Sequence, residues 1–341
     1  MKTKSKAKRL FLIMAIVGII FILSGGAIFA VTLANNDWNV FNLDNEELTA
    51  TYFVDADRTF DRVEFDARFR FNIRMGTEFR VDYFNSNIST ITTSVLRNDN
   101  GNYTFRFYES GHSWTTSFML GFAGLARTQA SVYITVTQKI FAHFDASSIR
   151  LNAVGVDFYG LVMDGSSSRL HLEDAVVSGD VIMDGSSVNA VFRNVDVGGR
   201  IVFDGSSQDI EGYRLTADEI FLDGSSIDLS LRNSVIDRLI VDGSSTKIYF
   251  RNSAIRVINV DGSSVRVDAR RSHMHTFIVD GSSLRANLEL YGITENVGAF
   301  NFRRADVSGV SGIGQRFKQF SINGSSARLN ITMLGGESVF A

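Results

Sequence analysis

A four-residue motif, Asp-Gly-Ser-Ser, recurs along the sequence at a spacing of 19 or 20 residues. The copies begin at Asp164, Asp184, Asp204, Asp223, Asp242, Asp261 and Asp280, with a related Asp145-Ala-Ser-Ser before them and Asn323-Gly-Ser-Ser 43 residues after the last. A fixed period of this length is typical of solenoids, in which each repeat is one coil that stacks on its neighbours.

Apolar residues alternate on both sides of the motif. Four, six and eight residues after an aspartate they include Ile227, Leu229 and Leu231, and shortly before the next aspartate they include Leu239 and Val241. A period of two predicts β-strands with one buried face. Each coil is therefore expected to contain two short strands, joined by Asp-Gly-Ser-Ser at one corner and by a second polar corner at the other.

The predicted fold is an all-β parallel β-solenoid, or β-helix, of about 19-residue coils. One coil cannot cover its own apolar residues, whereas coils stacked about 4.8 Å apart cover one another and pair their backbones. The glycine of the motif is expected to adopt a positive φ, and the aspartate to accept a hydrogen bond from the backbone two residues on. The chain has no proline, which would remove a donor from a central strand.

The repeat also divides the chain into regions. Coils are expected over residues 141–335, with an insertion near 291–318 where the motif is missing. Residues 59–140 lack the motif but alternate strongly, which predicts an irregular N-terminal β cap. Residues 35–58 are expected to be a juxtamembrane segment.

The N-terminus has the pattern of a membrane anchor. Residues 1–9 carry five cations and no acid, and residues 10–34 carry no charge. Because a spanning helix needs about 20 apolar residues, we predict one transmembrane helix over 10–34, with the basic tip in the cytoplasm and the bulk of the chain extracytoplasmic. The alternative is a cleaved signal peptide, for which Thr32-Leu33-Ala34 supplies small residues. Either interpretation exports the rest of the chain, and the anchor predicts a single-pass protein of the cell membrane.

Composition excludes several classes of function. The chain has 34 basic and 37 acidic residues, and without the five N-terminal cations the exported part is net −8. Nucleic acid is therefore not an expected partner. The sequence contains no cysteine, which excludes disulfides, thiolate metal sites and a cysteine nucleophile.

The order of these segments resembles a known family. A basic tip and span, an irregular β region, Val132-Tyr-Ile-Thr-Val leading into Phe144-Asp-Ala-Ser-Ser, and then repeated Asp-Gly-Ser-Ser coils are similar to the adhesin-like domain DUF4097 of bacterial envelope proteins. The resemblance covers about residues 55–335, and it departs from the family at Thr137, where a proline is usual. It implies a surface-binding role and supplies no catalytic residues.

Two interpretations are open for the column of motif aspartates. The aspartates either stabilise the corners, which is the favoured interpretation, or form a ladder of oxygen ligands for a hard cation such as calcium. Carboxylates about 4.8 Å apart repel by about 3.5 kcal/mol at an effective dielectric of 20, so buried aspartates would need a cation, whereas exposed ones would not.

Other polar residues of the repeat are likewise open to two interpretations. The serines of the motif either cap the corner or present hydroxyls to a glycan or to ice. Arginine and asparagine at the second corner, as in Arg193-Asn194, Arg232-Asn233 and Arg251-Asn252, either form a solvated turn or line a binding edge. His273 and His275 share one face of a strand, but two histidines make an incomplete metal site.

The sequence therefore predicts a non-catalytic protein without a required cofactor. The expected function is that of an adhesin or surface-binding scaffold, whose partner is a cell-surface or cell-wall ligand, either glycan or protein. The first alternative is an envelope-stress sensor that acts with a membrane-protein partner. A weaker alternative is a polysaccharide-active β-helix enzyme, which would need an irregular cluster of acids in a cleft.

Overall fold

The computed structural model describes residues 49–85, 90–110, 131–291, 300–308 and 319–334, and within these ranges the chain forms strands and turns without a helix. The strands are β1 (Thr49–Asp55), β2 (Phe60–Asp66), β3 (Arg70–Met75), β4 (Phe79–Asn85), β5 (Thr90–Arg97), β6 (Tyr103–Ser110), β7 (Ser131–Val136), β8 (Ile140–Asp145), β9 (Ser148–Val154), β10 (Phe158–Asp164), β11 (Ser167–Val177), β12 (Val181–Asp184), β13 (Ser187–Asp204), β14 (Ser207–Arg232), β15 (Val235–Arg251), β16 (Ala254–Asp261), β17 (Ser264–Asp280), β18 (Ser283–Tyr291), β19 (Phe300–Ser308) and β20 (Gln319–Leu334).

The described ranges hold no helix long and apolar enough to cross a membrane. The predicted tip and transmembrane helix, residues 1–34, lie outside those ranges.

Residues one period apart pair in parallel and in register. Asp164 pairs with Asp184, and the same register continues along the chain until Asp261 pairs with Asp280. The strands that leave each corner pair in the same way. The predicted parallel β-solenoid is therefore confirmed.

Each coil has three faces where the sequence predicted two strands. Face 1 leads into the Asp-Gly-Ser-Ser corner and comprises 158–164, 181–184, 219–223 and their equivalents. Face 2 leaves the corner and comprises 167–173, 187–193, 226–232 and their equivalents. Face 3 follows the second corner and comprises 175–177, 195–197, 215–217 and their equivalents in the other coils. Three residues are too few for alternation to be recognised in a sequence, since a strand pattern needs at least four.

The core is a column of side chains that all three faces contribute. Leu239 and Val241 enter it from face 1, Leu229 and Leu231 from face 2, and Ile236 from face 3, each at most 1% exposed. Burying one such side chain contributes about 1.5–3 kcal/mol. The core consequently depends on every coil being covered by its neighbours.

The N-terminal coils are threaded out of chain order. Strand β2 lies between β6 and β8, and β3 lies between β7 and β9, all in parallel. Strands β4 and β5 add antiparallel pairs on β7 and β6. The region predicted as an irregular cap thus includes parallel coils, whose core is a cluster of phenylalanines that includes Phe65, Phe107 and Phe144.

The C-terminal end has a similar arrangement. Strand β20 pairs with β17 and β18 on one side and with β19 on the other. The coil of Asn323 therefore stacks directly on that of Asp280, although 43 residues separate them in the sequence. Strand β19 falls within the predicted insertion, and residues 292–299 and 309–318 lie outside the described residues.

Candidate binding faces

The Asp-Gly-Ser-Ser corners are held by backbone hydrogen bonds between coils. The Gly165 N–H donates to the Asp184 carbonyl at 2.9 Å, and the Ser187 N–H donates to the Ser166 carbonyl at 3.0 Å. The same two bonds recur along the column. Such bonds satisfy buried backbone groups where the chain changes direction.

The glycine of the motif allows the backbones of successive corners to stack closely. None of the motif glycines lies in the left-handed region of φ, so the prediction of a positive φ was wrong. A Cβ placed on Gly224 would collide with the carbonyl oxygen of Gly205, one coil away, and equivalent contacts recur at Gly262 and Gly281. The glycine is needed because the backbones of successive corners touch.

The motif aspartates form the predicted column, and their side chains are exposed. All seven, from Asp164 to Asp280, are in register and solvent-accessible. The last of them line an open groove of about 860 Å³ together with Asn323, whose Nδ2 donates to Asp280 Oδ2 at 3.1 Å. Their exposure removes the burial that would make a cation necessary.

The calcium ladder stays a prediction. Among the described residues, no three or more histidine, cysteine, aspartate or glutamate side chains lie close enough together to hold a metal ion. The groove at the corners is lined by the aspartates, glycines and serines of the motif.

The second corner is a column of left-handed residues. Their φ angles lie between 50° and 65°, at Gly155, Asp174, Asn194, Arg214, Asn233, Asn252 and Arg271. Asparagine and aspartate tolerate this conformation better than most residues. Asn194 and Asn233 therefore have a structural role, as the solvated-turn interpretation expects.

A buried serine ladder lies directly behind this corner and was missed in the sequence. Ser234, Ser253 and Ser272 are fully buried. The Ser253 hydroxyl accepts from the Ser234 N–H at 3.2 Å and donates to the Arg251 carbonyl at 3.0 Å, and Ser272 repeats the arrangement one coil on. The only signal is the serine that follows Asn233, Asn252 and Arg271, which looks like part of a surface turn.

Face 2 carries a row of cations on its outer surface. Lys247, Arg266, Arg285 and Arg328 are exposed and pair in register across four successive coils, a set we call the cation row. Like charges directly opposite each other on neighbouring strands are destabilising. The row is therefore not explained by the stability of the fold.

The surroundings of the cation row neutralise it only in part. Lys247 Nζ lies 4.0 Å from Asp228, and the Arg266 guanidinium lies 5.9 Å from the centre of the Tyr249 ring. Burial raises the pKa of Asp228, Lys247 lowers it, and the neighbouring Asp209 raises it further. Acids thus lie at one end of the row, in the coils of Asp209 and Asp228.

The two histidines do not assemble a metal site with other described residues. His273 is 8% exposed and stacks on Tyr291 with ring centres 5.2 Å apart. Burial and the nearby His275 hold the pKa of His273 below its usual value, because both disfavour the charged imidazolium. The packing of His273 against Tyr291 thus favours the neutral imidazole.

These faces belong to a regular, all-β parallel solenoid, and comparisons with known proteins add little to that description. No family model matches the sequence, and no curated protein matches it. A solved structure of a "putative cell adhesion protein" from Clostridium sporogenes aligns with 84% of this chain and 100% of its own, at 10% identity and a TM-score of 0.20. The resemblance to DUF4097 stays a prediction.

Proposed function

We propose that this chain is a membrane-anchored extracytoplasmic protein that binds an anionic polymer of the cell surface or cell wall. In this proposal the span over residues 10–34 holds it in the membrane, and the cation row on face 2 makes the contact. The observation that carries the proposal is the cation row itself, because the fold does not require it and an anion would stabilise it.

The spacing of the cation row suits a repetitive ligand. Successive coils place one cation about every 4.8 Å, so a polymer with regularly spaced phosphates or carboxylates meets several of them at once. Each exposed ion pair contributes only about 0.2–1 kcal/mol. Affinity therefore has to come from several contacts along one chain.

The exported region as a whole has the opposite net charge. It is net −8, so attraction of an anionic ligand is confined to the local row and is sensitive to salt. The motif aspartates are repeated at the corners of nearly every coil, which is an architectural pattern. A non-catalytic role follows as part of the proposal.

The test compares four-residue variants of the full-length protein in detergent for binding to isolated cell walls, poly(glycerol phosphate), a polyuronate and a neutral glycan. Changing Lys247, Arg266, Arg285 and Arg328 to glutamine should weaken binding to walls and polyanions by about tenfold or more, since about 1.4 kcal/mol corresponds to tenfold. The control changes Arg97, Arg193, Arg214 and Arg232, four exposed arginines outside the register column of the row, to glutamine. It should change binding less than threefold.

Each other outcome contradicts a defined part of the proposal. Unchanged wall binding by the cation-row variant would remove face 2 as the site, and binding to the neutral glycan alone would remove charge as its basis. Absence of binding to every ligand would overturn surface binding and favour the sensor that acts with a membrane-protein partner.

A further inference from the structure

The outer surface of face 1 carries an apolar column. The column consists of the residue two before each motif aspartate, namely Val162, Ile182, Val202, Phe221, Ile240, Asn259 and Ile278, and we call it the outer ladder. These residues pair in register from coil to coil. Their neighbours on either side, such as Leu239 and Val241, point into the core, so the outer ladder points away from it. Six of the seven are apolar and half-buried.

Face 2 shows what a solvated face of this solenoid looks like. Between its buried residues it presents polar side chains, as at Arg266, Asp268 and Arg270. Face 1 instead has nearly continuous apolar runs, such as 201–203 and 239–241. Continuous apolar strands are typical of parallel sheets that are covered on both sides. Among the described residues, the core covers only the inner side.

Charged columns flank the outer ladder on both sides. The motif aspartates lie on one side, two residues further along each strand. On the other side lie Arg200 and Arg238, in ion pairs with Asp180 at 3.0 Å and Glu219 at 2.9 Å. Both arginines are more than half exposed. Asp180 and Glu219 stand in the same column as the two arginines, so the face is acidic at one edge and mixed, without net charge over these four residues, at the other.

We propose that the outer ladder is the interface between two parallel copies of this chain, related by a two-fold axis along the stacking direction. The first reason is spacing. A partner that contacts the whole column must repeat about every 4.8 Å, and a second copy of this solenoid has that repeat.

The second reason is charge. A two-fold axis along the stacking direction reverses the strand direction of the partner, so the aspartate column of one copy faces the mixed edge of the other, where each arginine stands beside an acid. The antiparallel alternative places aspartates against aspartates, which costs free energy when the charges are brought together. The parallel arrangement is therefore the one that the charges favour.

The area is sufficient for a specific but weak dimer. A face about 30 Å tall and about 16 Å wide follows from the strand spacing and the rise per residue. Two such faces bury about 1,000 Å² in total, near the lower limit for biological interfaces. We expect dissociation at micromolar concentrations. The dimer uses face 1 and leaves the cation row on face 2 outside the interface.

Single engineered cysteines give a direct test, because the chain contains none. In the parallel dimer every residue of the outer ladder lies opposite itself, so Ile182→Cys, Phe221→Cys and Ile240→Cys in the full-length protein should each form a disulfide-linked dimer under mild oxidation. In an antiparallel dimer at most one of the three positions lies near its own copy. The control is Ser230→Cys, on the outside of face 2, which should stay largely monomeric.

Sedimentation velocity of the full-length protein in detergent separates the outer ladder from any contact made elsewhere. Ile182→Lys with Phe221→Lys should raise the dissociation constant at least tenfold, whereas Val191→Lys with Val235→Lys, on faces 2 and 3, should leave it unchanged. The proposal would be overturned if the protein were a monomer at 100 μM or if both lysine double variants weakened the dimer equally. It would also be overturned if Ser230→Cys formed as much cross-linked dimer as the outer-ladder cysteines. A monomer whose Ile240→Cys thiol resists a maleimide would overturn it as well, since another segment of the same chain would then cover the ladder.

Discussion

At the residue scale, the motif glycine shows how a sequence pattern and its physical cause can differ. Glycine after aspartate is typical of a turn with positive φ, yet these glycines have ordinary backbone angles and are needed because successive corners touch. Left-handed angles occur instead at the second corner, where Asn233 and Asn252 stand. The place of both corners was predictable from the repeat, but the reason for the glycine depends on contacts between coils.

The first prediction concerns Gly224→Ala. The added Cβ would meet the carbonyl oxygen of Gly205, and a backbone atom fixed by the neighbouring coil cannot move aside easily. We expect the free energy of unfolding to fall by about 1–3 kcal/mol, as for other overpacking substitutions. Urea unfolding followed by circular dichroism measures this change.

Two comparisons make the Gly224→Ala prediction specific. At Gly198 the nearest atom to the added Cβ would be the Ser178 carbonyl oxygen at 3.2 Å, a wider approach, so Gly198→Ala should cost less than Gly224→Ala. Ser225→Ala, at an exposed neighbour, should stay within about 0.5 kcal/mol of the original protein. Equal stability of Gly224→Ala and Ser225→Ala would show that the corners do not stack as described.

The buried serines mark a limit of sequence reasoning at the same scale. Ser234 and Ser253 follow left-handed residues and look like turn residues, yet both are fully buried and bonded to the next coil. Gln208 is similar, since it occupies an inward position and its Nε2 donates to the Gly205 carbonyl at 3.2 Å. A polar residue in a core position is understood only when its partners in neighbouring coils are known.

At the element scale, alternation predicted the strands, while their order in space was not predictable. β2 and β6 pair directly although their first residues, Phe60 and Tyr103, are far apart in the sequence. β20 lies between β18 and β19 although β19 precedes it in the chain. Alternation reports which residues of a strand are buried, but it carries no information about which strand is the neighbour.

The second prediction uses a charge that joins two of these strands. Glu64 on β2 accepts from Arg106 on β6 at 2.6 Å and from Arg62 at 2.7 Å. Burial alone would raise the pKa of Glu64, but the two arginines outweigh it and hold the pKa below the usual 4.5. An acid with a lowered pKa in the folded state stabilises the fold above its unfolded pKa, and this contribution is lost as the pH falls through the folded value.

Glu64→Gln should therefore lower the melting temperature at pH 7 and have a smaller effect well below pH 4.5. All three side chains are partly exposed, so the loss at pH 7 is expected to be about 0.5–1 kcal/mol. The control is Glu78→Gln. The ion pair between Glu78 and Arg80 is long, at 4.0 Å, and should contribute less to the free energy of unfolding. Melting curves between pH 3 and pH 7 measure both, and an effect of Glu64→Gln that does not change with pH would contradict the ion-pair explanation.

At the scale of the whole molecule, the repeat alone was enough to predict the fold class. The buried positions must be apolar in every coil, so the period is visible in the sequence. The outward positions face no such constraint, and the cation row and the outer ladder therefore have to be identified by lining up coils in space. The residues of both sets stand at fixed distances from the motif in the sequence. Only the register of the faces, however, shows that they form continuous columns.

The last prediction tests whether the solenoid behaves as a stack of equivalent units. Deleting residues 243–261 removes one period of 19 residues and joins Asp242 to Gly262, so that an Asp-Gly-Ser-Ser corner is restored. Asp242 and Asp261 pair in register, as do Asp223 and Asp242, so the coils on either side of the deletion have matching backbones and apolar positions. Because stability in such proteins is close to a sum over units and their contacts, the shortened chain should fold cooperatively with a modestly lower melting temperature.

The matched control for this deletion removes residues 243–252, which joins Asp242 to Ser253 and breaks the period. Residues meant for face 3 would then follow face 1, and their apolar side chains would no longer meet the core of the next coil. We expect this ten-residue deletion to abolish the cooperative transition in thermal unfolding, although it removes fewer residues than the 19-residue deletion. If both deletions unfolded the protein equally, the coils would not be interchangeable units, and the additive description of the stack would be wrong.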